Sequence, residues 1–284
     1  MNKLSTRYHN RSHESAGYSY IYLVNSRRLQ GLSIGINLNQ NNACNWQCIY
    51  CDVPHLTRGA AAPIDLALLK TELEQFLEKI LRGHVDQQFN QPVNKRIQAI
   101  TIAGNGEPTS VSIFDQVIAS VIAICKQKKL LPTIKLVLIS NGSLMYKPAV
   151  QRGIANWGLN HGEVWFKVDS ATTAGIRNIN QVYLHPGKVL KNLKICSQLC
   201  PTWIQTCVFA YDGFAPTAQE QQAYLDFLQN LPNLDIHIRG VLLYGATRPS
   251  LQLEAERITP LPNSWLNNLA ASISTLGFDV KIFE

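Results

Sequence analysis

Apolar runs and polar breaks alternate along most of the chain. Stretches rich in Val, Ile and Leu, bounded by Gly, Asn or Asp, are separated by segments whose apolar residues return every three or four positions. The first pattern is typical of parallel strands covered on both faces and the second of amphipathic helices. We predict strands at 33–39, 97–103, 134–140, 163–168, 202–209 and 235–242, and helices at about 65–82, 111–129, 146–156, 187–199, 217–230 and 263–276.

Six strand–helix units imply either a parallel α/β barrel or an open, doubly wound sheet. The first four strands all end in polar or metal-binding residues, and α/β barrels collect their functional residues at the carboxyl ends of the strands. This convergence favours an α/β fold, a partial (β/α)6 TIM-like barrel. At 284 residues and 46% apolar the chain can bury a large core, with no compositional break. We expect one domain overall, with an N-terminal arm at 1–30 and a barrel with a C-terminal extension at 31–284.

Three cysteines follow the first predicted strand in the spacing Cys-x3-Cys-x2-Cys, at Cys44, Cys48 and Cys51. Three thiolates on so short a loop suit an iron–sulfur cluster. Closed clusters and structural zinc sites normally have four protein ligands, so three suggest an iron left open for another molecule. His55 leaves a second interpretation open, because it could complete a Cys3His zinc site with these cysteines.

The second strand ends in Gly104-Asn105-Gly106-Glu107-Pro108. Glycines let the backbone approach a ligand closely, and carbonyl or carboxylate oxygens accept hydrogen bonds from an ammonium group. Taken alone, the segment could also be an ordinary turn. The next strand ends carry Ser140 with Asn141, and then Lys167 with Asp169. Those residues could instead form turns or caps of the following loops.

The order of these motifs resembles the radical S-adenosylmethionine (SAM) superfamily, and the aromatic residue before Cys51 fits it too. The resemblance implies a partial barrel in which Cys44, Cys48 and Cys51 ligate a [4Fe-4S] cluster. It also implies that SAM binds the open iron and is cleaved reductively to a 5′-deoxyadenosyl radical, which abstracts a hydrogen atom from a substrate. The SAM-binding residues that it implies are Tyr50, Gly104, Asn105, Gly106, Glu107, Asn141 and Asp169.

Segments 26–29, 33–38, 104–109, 140–144 and 247–249 look like the branch of that superfamily that includes the wyosine-base (tRNA-imidazoguanosine) synthase. That likeness implies transfer-RNA modification. Two features depart from it: no cysteine precedes Cys44, and Lys3 is the only lysine before it. No flavodoxin-like segment precedes the barrel, so we expect an external electron donor such as flavodoxin or ferredoxin.

The net charge of +7 favours a polyanionic partner. An Arg-bearing arm with interleaved tyrosines adds to the expectation of an RNA (tRNA) substrate, since arginine contacts phosphates and aromatic rings stack on bases. The residues are Arg7, Arg11, Arg27, Arg28, Tyr8, Tyr18, Tyr20 and Tyr22. Two alternatives remain open: a radical SAM enzyme acting on a protein, peptide or small metabolite, and a zinc-stabilised RNA-binding protein without catalysis.

The apolar runs and the first residues of the chain bear on its localisation, and the number of cysteines bears on disulfide bonding. The longest apolar run, 117–125, is too short to span a bilayer and the first 19 residues lack a signal-peptide core, so we expect a cytoplasmic protein with no membrane contact.

Seven cysteines, with three in one loop, argue against a disulfide framework. The other four lie in apolar patterns, which favours burial in the core over a second cluster. They are Cys125, Cys196, Cys200 and Cys207.

Overall fold

The computed structural model describes residues 17–26, 28–29, 31–82 and 97–283. Its strands are β1 Ile21–Ser26, β2 Gly31–Ile36, β3 Ala43–Cys44, β4 Thr57–Arg58, β5 Ile97–Ile102, β6 Lys135–Ser140, β7 Gly162–Lys167, β8 Thr202–Val208, β9 Ala210–Tyr211, β10 Gly240–Gly245, β11 Ile258–Thr259 and β12 Val280–Phe283. Its helices are α1 Leu66–Leu81, α2 Phe114–Gln127, α3 Pro148–Leu159, α4 Thr173–Asn180, α5 Pro186–Leu199, α6 Ala218–Gln229 and α7 Asn263–Thr275.

The main sheet has eight strands in the order β1-β2-β5-β6-β7-β8-β10-β12. From β2 to β12 every neighbouring pair is parallel, and only β1 runs antiparallel, against β2. The predicted partial barrel of six strand–helix units is therefore confirmed. Asp65 caps α1, whose start was predicted at about residue 65, by accepting a hydrogen bond from the backbone N–H of Leu68.

Three elements extend or correct the predicted pattern. Residues Ile21–Ser26, assigned from sequence to the arm, form β1 on one edge of the sheet, and β12 forms the other edge. Helix α4, after β7, was not predicted. The last strand, predicted at 235–242, runs from Gly240 to Gly245 instead, because Asp235 adopts a left-handed conformation and ends a short 3-10 turn. An isolated left-handed residue interrupts an extended strand.

Alternate side chains of the strands face two different environments. Val164 and Phe166 of β7 pack into the large core beneath the helices, whereas Trp165 between them points into the barrel with Val137 and Leu242. The indoles of Trp165 and Trp203 both donate to the Glu163 carboxylate, at 2.9 and 3.2 Å. This tryptophan floor, Glu163, Trp165 and Trp203, occupies the lower part of the barrel interior.

The tyrosines that precede the barrel are structural. Tyr18, Tyr20 and Tyr22 are all buried: the Tyr18 ring meets Phe76 edge on, the Tyr20 hydroxyl accepts from a backbone N–H, and the Tyr22 hydroxyl donates to a carbonyl. The expectation that these three rings stack on RNA bases is therefore wrong, because the fold leaves less than a tenth of each residue exposed. The arm residues Arg7, Tyr8, Arg11 and Arg27 lie outside the described residues.

None of the helices in the described ranges combines the length and apolar character needed to cross a bilayer.

Candidate functional site

A cavity of about 300 Å³ opens at the carboxyl ends of the parallel strands. Of the ten residues predicted to bind the cluster or SAM, eight line it: Cys44, Cys48, Cys51, Tyr50, Gly104, Gly106, Glu107 and Asn141. Two do not. Asn105 and Asp169 are buried beside the cavity and bond to other side chains. The barrel topology thus brings strand ends that are far apart in sequence into one site.

Backbone hydrogen bonds hold the cysteine loop against α4. The N–H groups of Gln47 and Ile49 donate to the carbonyls of Asn180 and Ile179, at 3.2 and 2.9 Å. On its other side the loop pairs with itself through the short strands β3 and β4. Residues 250–252 also bond to the loop, at the carbonyls of Ile49, Cys51 and Val53. The last turn of α4 and this segment therefore position the loop that carries the three thiols, which no local sequence pattern indicated.

Two of the thiol sulfurs accept hydrogen bonds. The backbone N–H of Trp46 donates to Cys44 Sγ at 3.4 Å, and the side-chain amide of Asn180 donates to Cys48 Sγ at 3.3 Å. Burial raises the pKa of the Cys48 thiol to about 12, although the nearby Lys167 ammonium acts in the opposite direction. Burial likewise raises the pKa of Cys44 above its ordinary value. Metal binding at these sulfurs therefore has to displace protons.

The Cys3His interpretation finds no support in the geometry. Within the part of the chain that the structure describes, no group of three or more His, Cys, Asp and Glu side chains, the three loop cysteines included, is placed to hold a single metal ion. His55 is exposed and does not line the cavity, whereas the three thiols do.

Glu107 connects the ends of β5 and β6 through hydrogen bonds. Its Oε1 accepts from the backbone N–H and hydroxyl of Thr109 and from the Ser140 hydroxyl, at 3.0, 2.6 and 2.7 Å. Its Oε2 accepts from the backbone N–H of Asn141 at 2.6 Å. Burial raises the pKa of Glu107, and these hydrogen bonds offset part of the rise. The carboxylate therefore holds the segments at the ends of β5 and β6 together, and it also lines the cavity.

The two glycines before Glu107 are required by close packing. A Cβ at Gly104 would overlap the Asn37 side chain, and one at Gly106 would overlap the carbonyl oxygen of Ala43. The Asn37 side-chain oxygen accepts from the backbone N–H of Asn105 at 3.0 Å. The glycine-rich turn thus packs against the end of β2 at Gly104 and against the cysteine loop at Gly106, and a side chain at either glycine would push these segments apart.

Asp169 anchors the ring of Tyr50. Its Oδ2 accepts from the Tyr50 hydroxyl at 2.6 Å and from the Asn180 amide at 2.7 Å, and its Oδ1 accepts from the backbone N–H of Cys207 at 3.0 Å. Its side chain is fully buried. This geometry favours a positioning role for Asp169, because its oxygens are already engaged by the protein.

Lys167 is a buried cation beside the site. Its ammonium donates to the Tyr244 hydroxyl at 2.9 Å and lies 3.8 Å from Asp169 Oδ1 and 4.8 Å from the centroid of the Tyr50 ring. Burial acts to lower the pKa of Lys167, but Asp169 and the neighbouring groups outweigh it and the pKa is raised. The lysine therefore keeps its positive charge in the cavity wall.

Sequence reasoning missed an asparagine network around the cysteine loop. The Asn141 amide donates to Asn45 Oδ1 at 2.8 Å, the Asn45 amide donates to the Ser143 hydroxyl at 2.7 Å, and the Asn105 amide donates to Asn42 Oδ1 at 2.7 Å. The clustering of Asn residues at strand ends and in the cysteine loop was a visible signal. Their partners became clear only when the barrel brought the strand ends together.

The four remaining cysteines are buried, as predicted. Cys125, Cys196 and Cys200 lie in the apolar core, where the Cys196 thiol approaches Thr202 Oγ1 at 3.4 Å and the Cys200 thiol donates to a carbonyl. Cys207 differs, because it also lines the cavity.

Comparison with known proteins begins with sequence. No family model matches the chain. It is 28% identical over 229 residues to a UPF0026 protein of Helicobacter pylori strain 26695, covering 80% of this chain and 66% of that protein. It is 27% identical over 210 residues to the UPF0026 protein of strain J99, covering 73% of this chain and 61% of that protein. The chain thus matches somewhat less than two thirds of the length of these relatives.

Among solved structures, the fold is similar to that of a radical SAM methyltransferase from Sphaerobacter thermophilus. The TM-score is 0.59 at 10% identity, and the match covers 94% of this chain and 70% of that protein. The likeness extends over nearly the whole chain and concerns the backbone. We conclude that the chain has the partial-barrel fold of that radical SAM enzyme.

Proposed function

We propose that the protein is a radical SAM enzyme that holds a [4Fe-4S] cluster on Cys44, Cys48 and Cys51 and binds SAM beside it. One observation carries the proposal: three thiols of a single loop and the polar ends of the next two strands line the same cavity. When bound, the cluster and SAM together supply a 5′-deoxyadenosyl radical that removes a hydrogen atom from the substrate. An external one-electron donor, such as flavodoxin or ferredoxin, completes the system.

The residues present fit both groups. Thiolates are the ligands that iron–sulfur clusters take, and three of them leave one iron available. Glu107 Oε2 accepts one hydrogen bond from the protein, from the backbone N–H of Asn141, so this carboxylate oxygen can also accept from the ammonium group of SAM at the cavity wall. Asn141 Oδ1 accepts from Ser143, and the Asn141 side chain lines the cavity beside Glu107. Tyr50 of the cysteine loop, held by Asp169 at the end of β7, lines the same cavity.

Anaerobic reconstitution with iron and sulfide tests the proposal. The loaded protein should contain about four iron per chain and, after reduction with dithionite in the presence of SAM, release 5′-deoxyadenosine and methionine. Both products are quantified by liquid chromatography. Stoichiometric zinc without iron uptake, or an iron-loaded protein that never cleaves SAM, would contradict it.

The hydrogen bond from Asn180 should raise the reduction potential of the proposed cluster. Hydrogen bonds to ligand sulfur stabilise the more negative, reduced state, so Asn180→Ala should make the reduction potential more negative. A tenfold change in a one-electron equilibrium corresponds to about 59 mV, which sets the scale of the shift. The potential is measured by spectroscopic redox titration.

The matched control for that titration is Asn178→Ala, because Asn178 is an exposed residue of the same type on the same helix. Equal potentials in the wild type and Asn180→Ala would show that the amide does not influence the cluster.

We further propose that the substrate is RNA, specifically a transfer RNA that is modified as in the wyosine-like branch. Support comes from exposed cation–aromatic pairs in segments that follow β6 and β7. The Arg177 guanidinium lies 4.8 Å from the centroid of the Tyr183 ring, which is 80% exposed. The Lys188 ammonium lies 5.9 Å from the centroid of the Tyr146 ring, which is 51% exposed. Such pairs offer phosphate contacts and stacking surfaces.

This surface adjoins the cysteine loop. Arg58 of the loop is exposed and donates to the carbonyl of Gln181, at the end of α4, at 2.6 Å. Arg58, Tyr146, Arg177, Tyr183 and Lys188 define what we call the cation–aromatic rim. An RNA bound there would lie at the carboxyl ends of the strands, next to the cavity.

Binding to transfer RNA should therefore weaken with added salt. Arg177→Ala combined with Lys188→Ala should reduce the slope of log K against log salt by about 0.7 to 0.9 for each phosphate that the variant no longer neutralises. Lys70→Ala, an exposed lysine on α1, is the matched control. Fluorescence anisotropy at several salt concentrations measures the slope. Should a peptide or metabolite extract stimulate 5′-deoxyadenosine release while RNA does not, the RNA assignment is wrong.

A further inference from the structure

Among the residues that the structure describes, one buried acceptor in the barrel interior has no hydrogen-bond partner. Within the described ranges, three buried side-chain oxygens lack a hydrogen bond: Asn39 Oδ1, Gln40 Oε1 and Gln205 Oε1. Of the three residues, Gln205 alone lines the cavity, and it is 1% exposed. Leaving a buried acceptor without a hydrogen bond is unfavourable, so an amide retained at this position indicates a partner that comes from the cavity.

The surroundings of Gln205 form a chamber between the tryptophan floor and the cysteine loop. Gln205 pairs with Lys167 on β7 and with Leu242 on β10. Trp165 lies two residues deeper than Lys167 along the same strand, and the Tyr244 ring stands two residues above Leu242. All of these except Leu242 line the cavity. Both indole N–H groups of the tryptophan floor already donate to the Glu163 carboxylate, so they are not the missing donors to Gln205 Oε1.

A cation borders the chamber on the side where the two edges of the sheet approach each other. The Arg28 guanidinium, from the turn between β1 and β2, lies 4.1 Å from the centroid of the Tyr244 ring. Leu29 of the same turn and Phe283 of β12 pack against one apolar cluster inside the barrel. Arg28 is half-buried and lines the same cavity as Gln205. A ligand reaching Gln205 is therefore flanked by aromatic rings and by a positive charge.

We infer that this chamber is a pocket for one nucleotide of the substrate, in which Gln205 accepts a hydrogen bond from an N–H of the base and Arg28 contacts the phosphate. This inference rests on the proposed function and names the part of the substrate that enters the barrel. A nucleotide combines the three properties that the chamber selects: a flat ring to lie against Trp165 and Tyr244, an N–H donor and a negative charge. Enzymes that act on a base move it out of its stack into such a pocket.

The test uses the cluster-loaded protein with SAM and measures binding of the four nucleoside 5′-monophosphates, the matching nucleosides and inorganic phosphate by equilibrium dialysis. We expect one monophosphate to bind in preference to the others. Gln205→Leu should weaken that binding about tenfold and remove the preference between bases. Arg28→Ala should weaken the monophosphate but not the nucleoside. Gln151→Leu, outside the cavity, is the matched control and should leave both unchanged.

A stability measurement separates this role from a structural one. Replacing a buried amide whose oxygen has no partner with an apolar side chain of similar shape removes a desolvation cost. Gln205→Leu should therefore melt at the same or a higher temperature while nucleotide binding falls. A lower melting temperature, unchanged base preference or no binding of any monophosphate would overturn the inference. If the wild type cleaves SAM yet binds no nucleotide, only the pocket is wrong. If it neither takes up iron nor cleaves SAM, the proposed function fails.

Discussion

Replacing Cys44, Cys48 or Cys51 with Ala, one at a time, should abolish iron binding. Each thiolate is expected to hold one iron of the cluster, and the cavity wall offers no spare thiol on the same loop. Two remaining ligands cannot retain a cluster whose fourth iron already lacks a protein ligand. Iron and sulfide per chain after anaerobic reconstitution, together with the visible absorption of the cluster, measure the loss.

The matched control is Cys196→Ala. Its thiol is buried in the apolar core near Thr202, so the change should lower the free energy of unfolding by only about 1 kcal/mol and leave iron content unchanged. Loss of iron in Cys196→Ala, or full iron content in any of the three loop variants, would show that the ligands have been assigned wrongly.

Glu107→Ala should have the second largest effect, lowering both stability and SAM binding. Removing the carboxylate leaves four donors without an acceptor: the backbone N–H groups of Thr109 and Asn141 and the hydroxyls of Thr109 and Ser140. Because buried unsatisfied donors cost about 1 to 3 kcal/mol each, we expect a loss of about 3 kcal/mol or more. Urea unfolding of the metal-free protein measures that loss independently of any cofactor.

SAM affinity is measured separately on the iron-loaded protein. Glu107→Gln keeps the shape of the side chain, so it should retain more stability than Glu107→Ala while still weakening SAM. Glu256→Ala, an exposed glutamate, is the control and should change neither quantity. Wild-type stability in Glu107→Ala would mean that the strand ends do not depend on this carboxylate.

The strand–helix alternation and the cysteine loop could be predicted from the amino-acid sequence because both depend on local patterns. A buried parallel strand needs a continuous apolar run, and three cluster ligands on one loop need short spacing. Both the strand at residues 97–102 and the loop of Cys44 to Cys51 could therefore be predicted. The errors were also local. Strand β1 was hidden in an Arg- and Tyr-rich segment, and α4 is a short helix of eight residues.

The roles of Asp169 and Tyr22 could not be predicted in the same way. Asp169 stands at a strand end like the other candidates, yet Tyr50, Asn180 and Cys207 surround its carboxylate and remove it from the cavity wall. Tyr22 looked like a stacking residue, but its hydroxyl donates to Ala103 across the sheet. Each of these contacts joins residues at least 11 positions apart.

The α/β class, the order of the strand–helix units and the loop that carries the thiols could be inferred from the amino-acid sequence, since these depend on periodicity and spacing within short windows. The closed barrel was needed to show which polar groups share one cavity, that Asn180 reaches the sulfur of Cys48, and that Gln205 Oε1 has no hydrogen-bond partner among the described residues. Barrel closure brings together strand ends separated by tens of residues, and the hydrogen bonds and burial that define the site form only there.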